Sequence, residues 1–98
     1  MALLTGKYFQ TESDTIYYRV NTVSPDWKTL VFLHGLGVDG RMFVPQAKAL
    51  CNEYNLLIWD APAHGMSRPF ALTFTYMDMA VWLHDILESE EITRPVLI

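Results

Sequence analysis

The chain holds one cysteine, Cys51, so no disulfide can form within it and its stability must come from packing and hydrogen bonds. Positive charge is also scarce: seven Lys and Arg against eleven Asp and Glu leave a formal charge of −4. Lys7, Arg19, Lys28, Arg41, Lys48, Arg68 and Arg94 are scattered singly, so no basic stripe can neutralise a row of phosphates and nucleic acid is not an expected partner. No apolar run approaches the roughly 18 residues needed to span a bilayer. The opening Met1-Ala2-Leu3-Leu4-Thr5-Gly6 also lacks the basic lead and long apolar stretch of an export signal. These absences predict a cytoplasmic protein without a membrane span, surface association aside. His34, His64 and His84 lack the close spacing of a zinc site, so no metal is expected. With no repeat, low-complexity tract or linker, residues 1–98 read as material of one domain.

What remains is rich in core-forming residues: 51% hydrophobic and only 18% charged, too apolar for disorder. Residues 7–10 and 15–20 are β-branched and aromatic, with Thr11-Glu12-Ser13-Asp14 supplying a polar turn, and predict an antiparallel hairpin. In the second strand Ile16, Tyr18 and Val20 alternate with Tyr17 and Arg19, as one packed face requires. By contrast, Leu30-Val31-Phe32-Leu33 and Leu56-Leu57-Ile58-Trp59 are continuously apolar, the mark of parallel strands covered by helices on both sides. Between them Phe43, Ala47, Leu50 and Cys51 recur at helical spacing, with Pro45 in the first turn.

Thr75-x-x-Asp78 predicts a capped helix start, with Tyr76, Met79, Ala80, Leu83, Ile86 and Leu87 as its apolar stripe and Asp78, His84, Asp85 and Glu88 facing outward. Glu88, Glu90 and Glu91 belong to a solvated helix end and carry no chemistry. Thr93-Arg94-Pro95 then breaks the chain before a last apolar strand, Val96-Leu97-Ile98. The predicted order is β-β-β-α-β-α-β: a hairpin followed by parallel βαβαβ units, with the helices on opposite faces if the winding direction reverses between them.

Both buried strands empty into special turns. The first is His34-Gly35-Leu36-Gly37, where glycines let backbone N–H groups approach a ligand closely; such fixed amides can hold the oxygen that turns negative during acyl transfer. The second is Asp60-Ala61-Pro62-Ala63-His64-Gly65-Met66-Ser67. Together, one helix and one strand apart, the turns resemble those of the α/β-hydrolases, in which a His-Gly loop follows the third strand and D-x-P-G-H-G-x-S follows the fourth. The chain departs from that pattern at Ala63, where glycine is usual.

The resemblance implies a partial α/β-hydrolase sheet, with residues 1–98 forming the N-terminal part of one such domain. It implies that the backbone N–H of Leu36 helps bind the oxyanion, and that His34, Gly35, Gly37 and Phe43 shape the adjoining substrate pocket. It also implies that Asp60 and Ser67 shape the loop beside the site and are neither catalytic acid nor nucleophile. The substrate class that the resemblance implies is an ester, thioester, amide or related small acyl compound, with no cofactor required.

The same glycines permit another reading. Gly35-x-Gly37-x-x-Gly40 after a strand, with Asp60 twenty residues further on, fits the spacing of a dinucleotide-binding Rossmann-type turn. Against it, a hairpin precedes the glycine-bearing strand, Pro45 falls inside the helix that should start at the turn, and the Asp60 to Ser67 motif goes unexplained.

None of the four serines, Ser13, Ser24, Ser67 and Ser89, sits in G-x-S-x-G, and Cys51 lies on an apolar helix face as a structural thiol. In the family the nucleophile follows the fifth strand, so the resemblance places a serine nucleophile after residue 98 and makes the 98-residue chain a truncated, inactive segment on its own. A non-catalytic folding or association module is the remaining alternative, with self-association through the last strand if it lies at an open sheet edge.

Overall fold

The computed structural model describes residues 4–98. Five strands form one sheet in the order β1-β2-β4-β3-β5: β1 (Thr5–Gln10), β2 (Thr15–Asn21), β3 (Thr29–Phe32), β4 (Asn55–Trp59) and β5 (Pro95–Leu97). β1 and β2 form the expected antiparallel hairpin, and β2 also runs antiparallel to β4. β3, β4 and β5 are mutually parallel, with Leu30 opposite both Leu56 and Val96.

The α/β architecture predicted from the apolar runs is thus present, and the reversal of winding accounts for its two faces. The chain leaves β3 through a 3-10 turn (Gly40–Phe43) and α1 (Val44–Leu50) to reach β4 on one side of β3. It leaves β4 through α2 (Tyr76–Ser89) and passes over β3 to reach β5 on its other side. Right-handed crossovers in opposite directions must lie on opposite faces. Leu30, Phe32, Leu56 and Ile58 accordingly pack with Ala47 of α1, whereas Val31, Leu57 and Trp59 pack with Ile16, Tyr18 and Val20 of β2 and with Leu83 and Ile86 of α2. Leu56, Leu57 and Ile58 are fully buried, each contributing about 1.5 to 3 kcal/mol relative to exposure.

Local signals placed the helix starts. Pro45 falls in the first turn of α1, where a missing N–H costs nothing. At α2 the Thr75 hydroxyl accepts from the Asp78 N–H and the Asp78 carboxylate accepts from the Thr75 N–H, the reciprocal cap that Thr75-x-x-Asp78 predicts. The apolar stripe of α2 needs correction. Tyr76 is 89% exposed and Ala80 is exposed as well, because the first turns of α2 extend past the packed part of the sheet. Trp82 instead closes this end of the core, forming an aromatic cluster with Phe70 and Phe74 at centroid distances of 5.5 and 5.8 Å. β5 differs from β3 and β4 in being exposed along its length, since it lies at the edge of the sheet.

Polar staples complete the frame. Asn55, buried at the start of β4, accepts from the Val23 and Ser24 N–H groups and donates to the Ser24 and Trp27 carbonyls, fixing the loop before β3. On the far side, burial and a hydrogen bond to Glu90 push the Tyr18 phenol up to about 12. Lys7 also pairs with Glu90 at 3.0 Å, joining the hairpin to the end of α2. Among the described residues no helix is long and apolar enough to cross a membrane.

Candidate functional site

The loops after β3 and β4 leave the carboxyl ends of two neighbouring parallel strands and meet around Asp60. This carboxylate is fully buried and its bonding capacity is spent on the frame. Oδ1 accepts from Arg19 Nη1 at 2.9 Å and from the Gly40 N–H at 2.8 Å, and Oδ2 accepts from the Met66 N–H at 2.8 Å. Arg19 also lies over the Tyr17 ring, 4.9 Å from its centroid. Ser67, buried beside it, donates its hydroxyl to the Asp60 carbonyl and accepts from the Tyr17 N–H at 2.8 Å. Both motif residues are therefore structural posts within a dense backbone network.

Two glycines exist for the sake of Asp60. A Cβ on Gly40 would stand 2.8 Å from Asp60 Oδ1 and 2.6 Å from the Ile58 side chain, and one on Gly65 would stand 2.8 Å from the Asp60 carboxyl carbon. The glycine spacing that fits a dinucleotide turn thus has another cause: the Gly40 amide that would face a pyrophosphate is bonded to Asp60. Ala63, where the related motif has glycine, adopts φ +71, a left-handed conformation that disfavours a Cβ by about 1 kcal/mol.

Above this base the turn after β3 is open. The Leu36 side chain is 93% exposed, Gly37 takes φ +86, and among the described residues the Leu36 N–H has no bonded acceptor. Next to it lies a cleft of about 500 Å³ bordered by His34, Leu36, Pro62, His64, Phe74 and Tyr76. No Asp, Glu, Lys or Arg lines it. A negative charge that develops there has no cationic Lys or Arg side chain to meet it, which leaves backbone amides and the neutral polar groups of the lining as its donors.

Of the residues singled out from the sequence, His34, Gly35 and Leu36 come together at this cleft, while Gly37 faces a neighbouring depression shared with Asp39, Gly65 and Arg68. Arg41, outside that depression, binds Asp39 through side chain and backbone, holding the Asp39 carboxyl down at about 2. Phe43 does not join the cleft: it lies in the 3-10 turn and packs on Phe32, ring centroids 4.9 Å apart, in the core beneath α1. Cys51 is half-buried, its Sγ directed at the Lys48 carbonyl.

The sequence reading missed the far wall. Phe74, Thr75, Tyr76 and Met79 come from the start of α2. A signal was available: a helix following a parallel strand begins at that strand's carboxyl end, where ligands of α/β sheets bind, and Thr75-x-x-Asp78 marked the beginning.

Fold and cleft together define an α/β domain whose main cleft opens at the carboxyl ends of parallel strands. No protein-family model matches the chain. It is 38% identical over 72 residues to a putative carbamate hydrolase, RutD, of Yersinia enterocolitica, a match covering 72% of this chain and 26% of the relative. It is 38% identical over 64 residues to the pimeloyl-[acyl-carrier protein] methyl ester esterase of Xanthomonas oryzae, covering 55% of this chain and 25% of that protein. An α/β hydrolase of Novosphingobium aromaticivorans superposes with a TM-score of 0.86 at 23% identity, over 99% of this chain and 35% of that structure. The chain belongs to the α/β-hydrolase fold superfamily. It spans about a quarter of the length of the curated relatives it matches.

Proposed function

We propose that this chain is the N-terminal, oxyanion-binding part of a cytoplasmic hydrolase acting on an ester, thioester, amide or related small acyl substrate. One observation carries the reading: among the described residues the Leu36 N–H has no bonded acceptor, and it stands beside a cleft that no Asp, Glu, Lys or Arg lines. A tetrahedral acyl intermediate needs such a donor, fixed before the reaction. His34 and Gly35 shape the pocket around it. The hydrolase names of the relatives support the reaction class.

On this reading the attacking group is a serine contributed by polypeptide following β5, on the sharp strand-to-helix turn that carries the nucleophile in α/β-hydrolases. Among the described residues the buried Ser67 hydroxyl is occupied by the backbone of Asp60 and Tyr17 and cannot serve. The test has two arms. Given p-nitrophenyl acetate, the 98-residue chain shows no turnover above a denatured control that survives Cys51→Ala; turnover that does survive would reveal a nucleophile within it. In the polypeptide encoded past Ile98, a G-x-S-x-G within about ten residues, with ester turnover lost when its serine is replaced, supports the proposal. An aspartate at that turn redirects it to dehalogenase or epoxide-opening chemistry.

The open edge of β5, with Val96, Leu97 and Ile98 all more than a third exposed, supports a second proposal, self-association of this chain through that strand. A clean monomer in sedimentation at high concentration overturns it.

A further inference from the structure

The two histidines of the paired turns hold each other's loops. His34, on the loop after β3, accepts at Nε2 from the Ala61 N–H of the loop after β4, at 2.9 Å. His64, on the loop after β4, accepts at Nε2 from the Gly37 N–H of the loop after β3, at 3.2 Å. An Nε2 that accepts carries no proton, so in a neutral ring Nδ1 bears it. Both Nδ1 atoms have an acceptor in place: the Gly35 carbonyl at 2.8 Å for His34 and the Pro62 carbonyl at 3.1 Å for His64. The rings lie 5.2 Å apart. All four ring nitrogens are engaged, so neither histidine is left to move a proton.

The bonds converge on one residue. In a trans peptide the carbonyl and the N–H of the same plane point in opposite directions, and the cis bond among the described residues is Arg68-Pro69. By gripping the Gly35 carbonyl, His34 therefore sets the direction of the Leu36 N–H, which belongs to the same plane. By gripping the Gly37 N–H, His64 fixes the next plane, on the other side of Leu36. A carbonyl that accepts a hydrogen bond also polarises its amide, making that N–H a stronger donor.

We propose that His34 and His64 are positioning residues for the Leu36 amide, each locking one of the two peptide planes that flank it, with both rings in the Nδ1–H tautomer. The pair works as a reciprocal clasp: each ring belongs to one loop and holds an amide of the other, so the donor keeps its aim only while the loops stay joined. The inference rests on the reading of Leu36 as an anion donor, and the two can fail separately.

The test is nuclear magnetic resonance of the full 15N-labelled chain, with methylphosphonate as the anionic probe. Scalar couplings across the N–H···N bonds should link Gly37 to His64 Nε2 and Ala61 to His34 Nε2, with nitrogen shifts marking Nδ1 as protonated in both rings. On titration the Leu36 amide should move most. His64→Ala should weaken the probe's apparent affinity at Leu36 at least about fivefold. His64→Gln, whose side-chain carbonyl can reach the same amide, should recover most of the loss. Absent couplings, the opposite tautomers, wild-type affinity in His64→Ala, or no recovery in His64→Gln overturns the clasp. A wild-type Leu36 amide that ignores the probe while both couplings are present overturns the anion-donor reading, and this inference with it.

Discussion

The two loops at the carboxyl end of the sheet are built by opposite means. The one after β4 is organised around a buried charge: Asp60 is fully buried, and Arg19, Gly40 and Met66 all donate to it. The one after β3 has almost no interior. Leu36 is 93% exposed, and the turn is tied to its neighbour chiefly through two imidazoles. Stability is invested in the first loop so that the second can leave a backbone donor unsatisfied at the surface of a cleft. A free N–H is costly where water cannot reach and cheap where it can, which is why the open loop rests on the closed one.

The comparison breaks most sharply at Asp60. Asp60→Ala strands a mostly buried guanidinium and two amides, and should cost about 3 to 5 kcal/mol in urea denaturation, whereas Leu36→Ala should stay within about 0.5 kcal/mol of wild type. Equal effects would mean that the two loops share the load. Gly40→Ala drives a methyl group against Asp60 and Ile58, and should cost about 1 to 3 kcal/mol in the same measurement.

A control away from both loops comes from Tyr18, whose phenol is raised to about 12 by burial and the Glu90 hydrogen bond. The folded state favours the protonated phenol, so its contribution is complete below the unfolded value of about 10 and is lost as pH rises from there toward 12. Stability should fall by about 1 to 2 kcal/mol across that window, and Tyr18→Phe should flatten the fall without altering either loop's amide spectrum. Smallest, Ala63→Gly should stabilise the chain by about 0.5 to 1 kcal/mol by relieving the left-handed φ. A loss instead would mean that the Ala63 methyl makes contacts outweighing its backbone cost.

Much of this was written locally. Alternation in Ile16 to Val20, unbroken apolar runs in β3 and β4, Pro45 and Thr75-x-x-Asp78 each specify an element through its own period or cap. The failures share a cause as well. Periodicity identifies a helical face but not how far the helix outruns the sheet beneath it, so Tyr76 falls on the apolar stripe and yet lies exposed at the cleft. Phe43 follows the helical spacing, yet the 3-10 turn directs its ring onto Phe32. The tasks of His34 and His64 depend on partners 27 residues away in the chain, which no local pattern specifies.

The reversal of winding at β3 has a consequence for inheritance. Because α1 and α2 depart to opposite faces, the loops leaving β3 and β4 meet at Asp60 and then part, and the cleft opens beside the point where they are joined. Changes of side chain at Tyr76 and Met79 would reshape the wall of that cleft without touching a strand. A fold of this kind can alter what its cleft admits by changes at the rim, with its core left as it is.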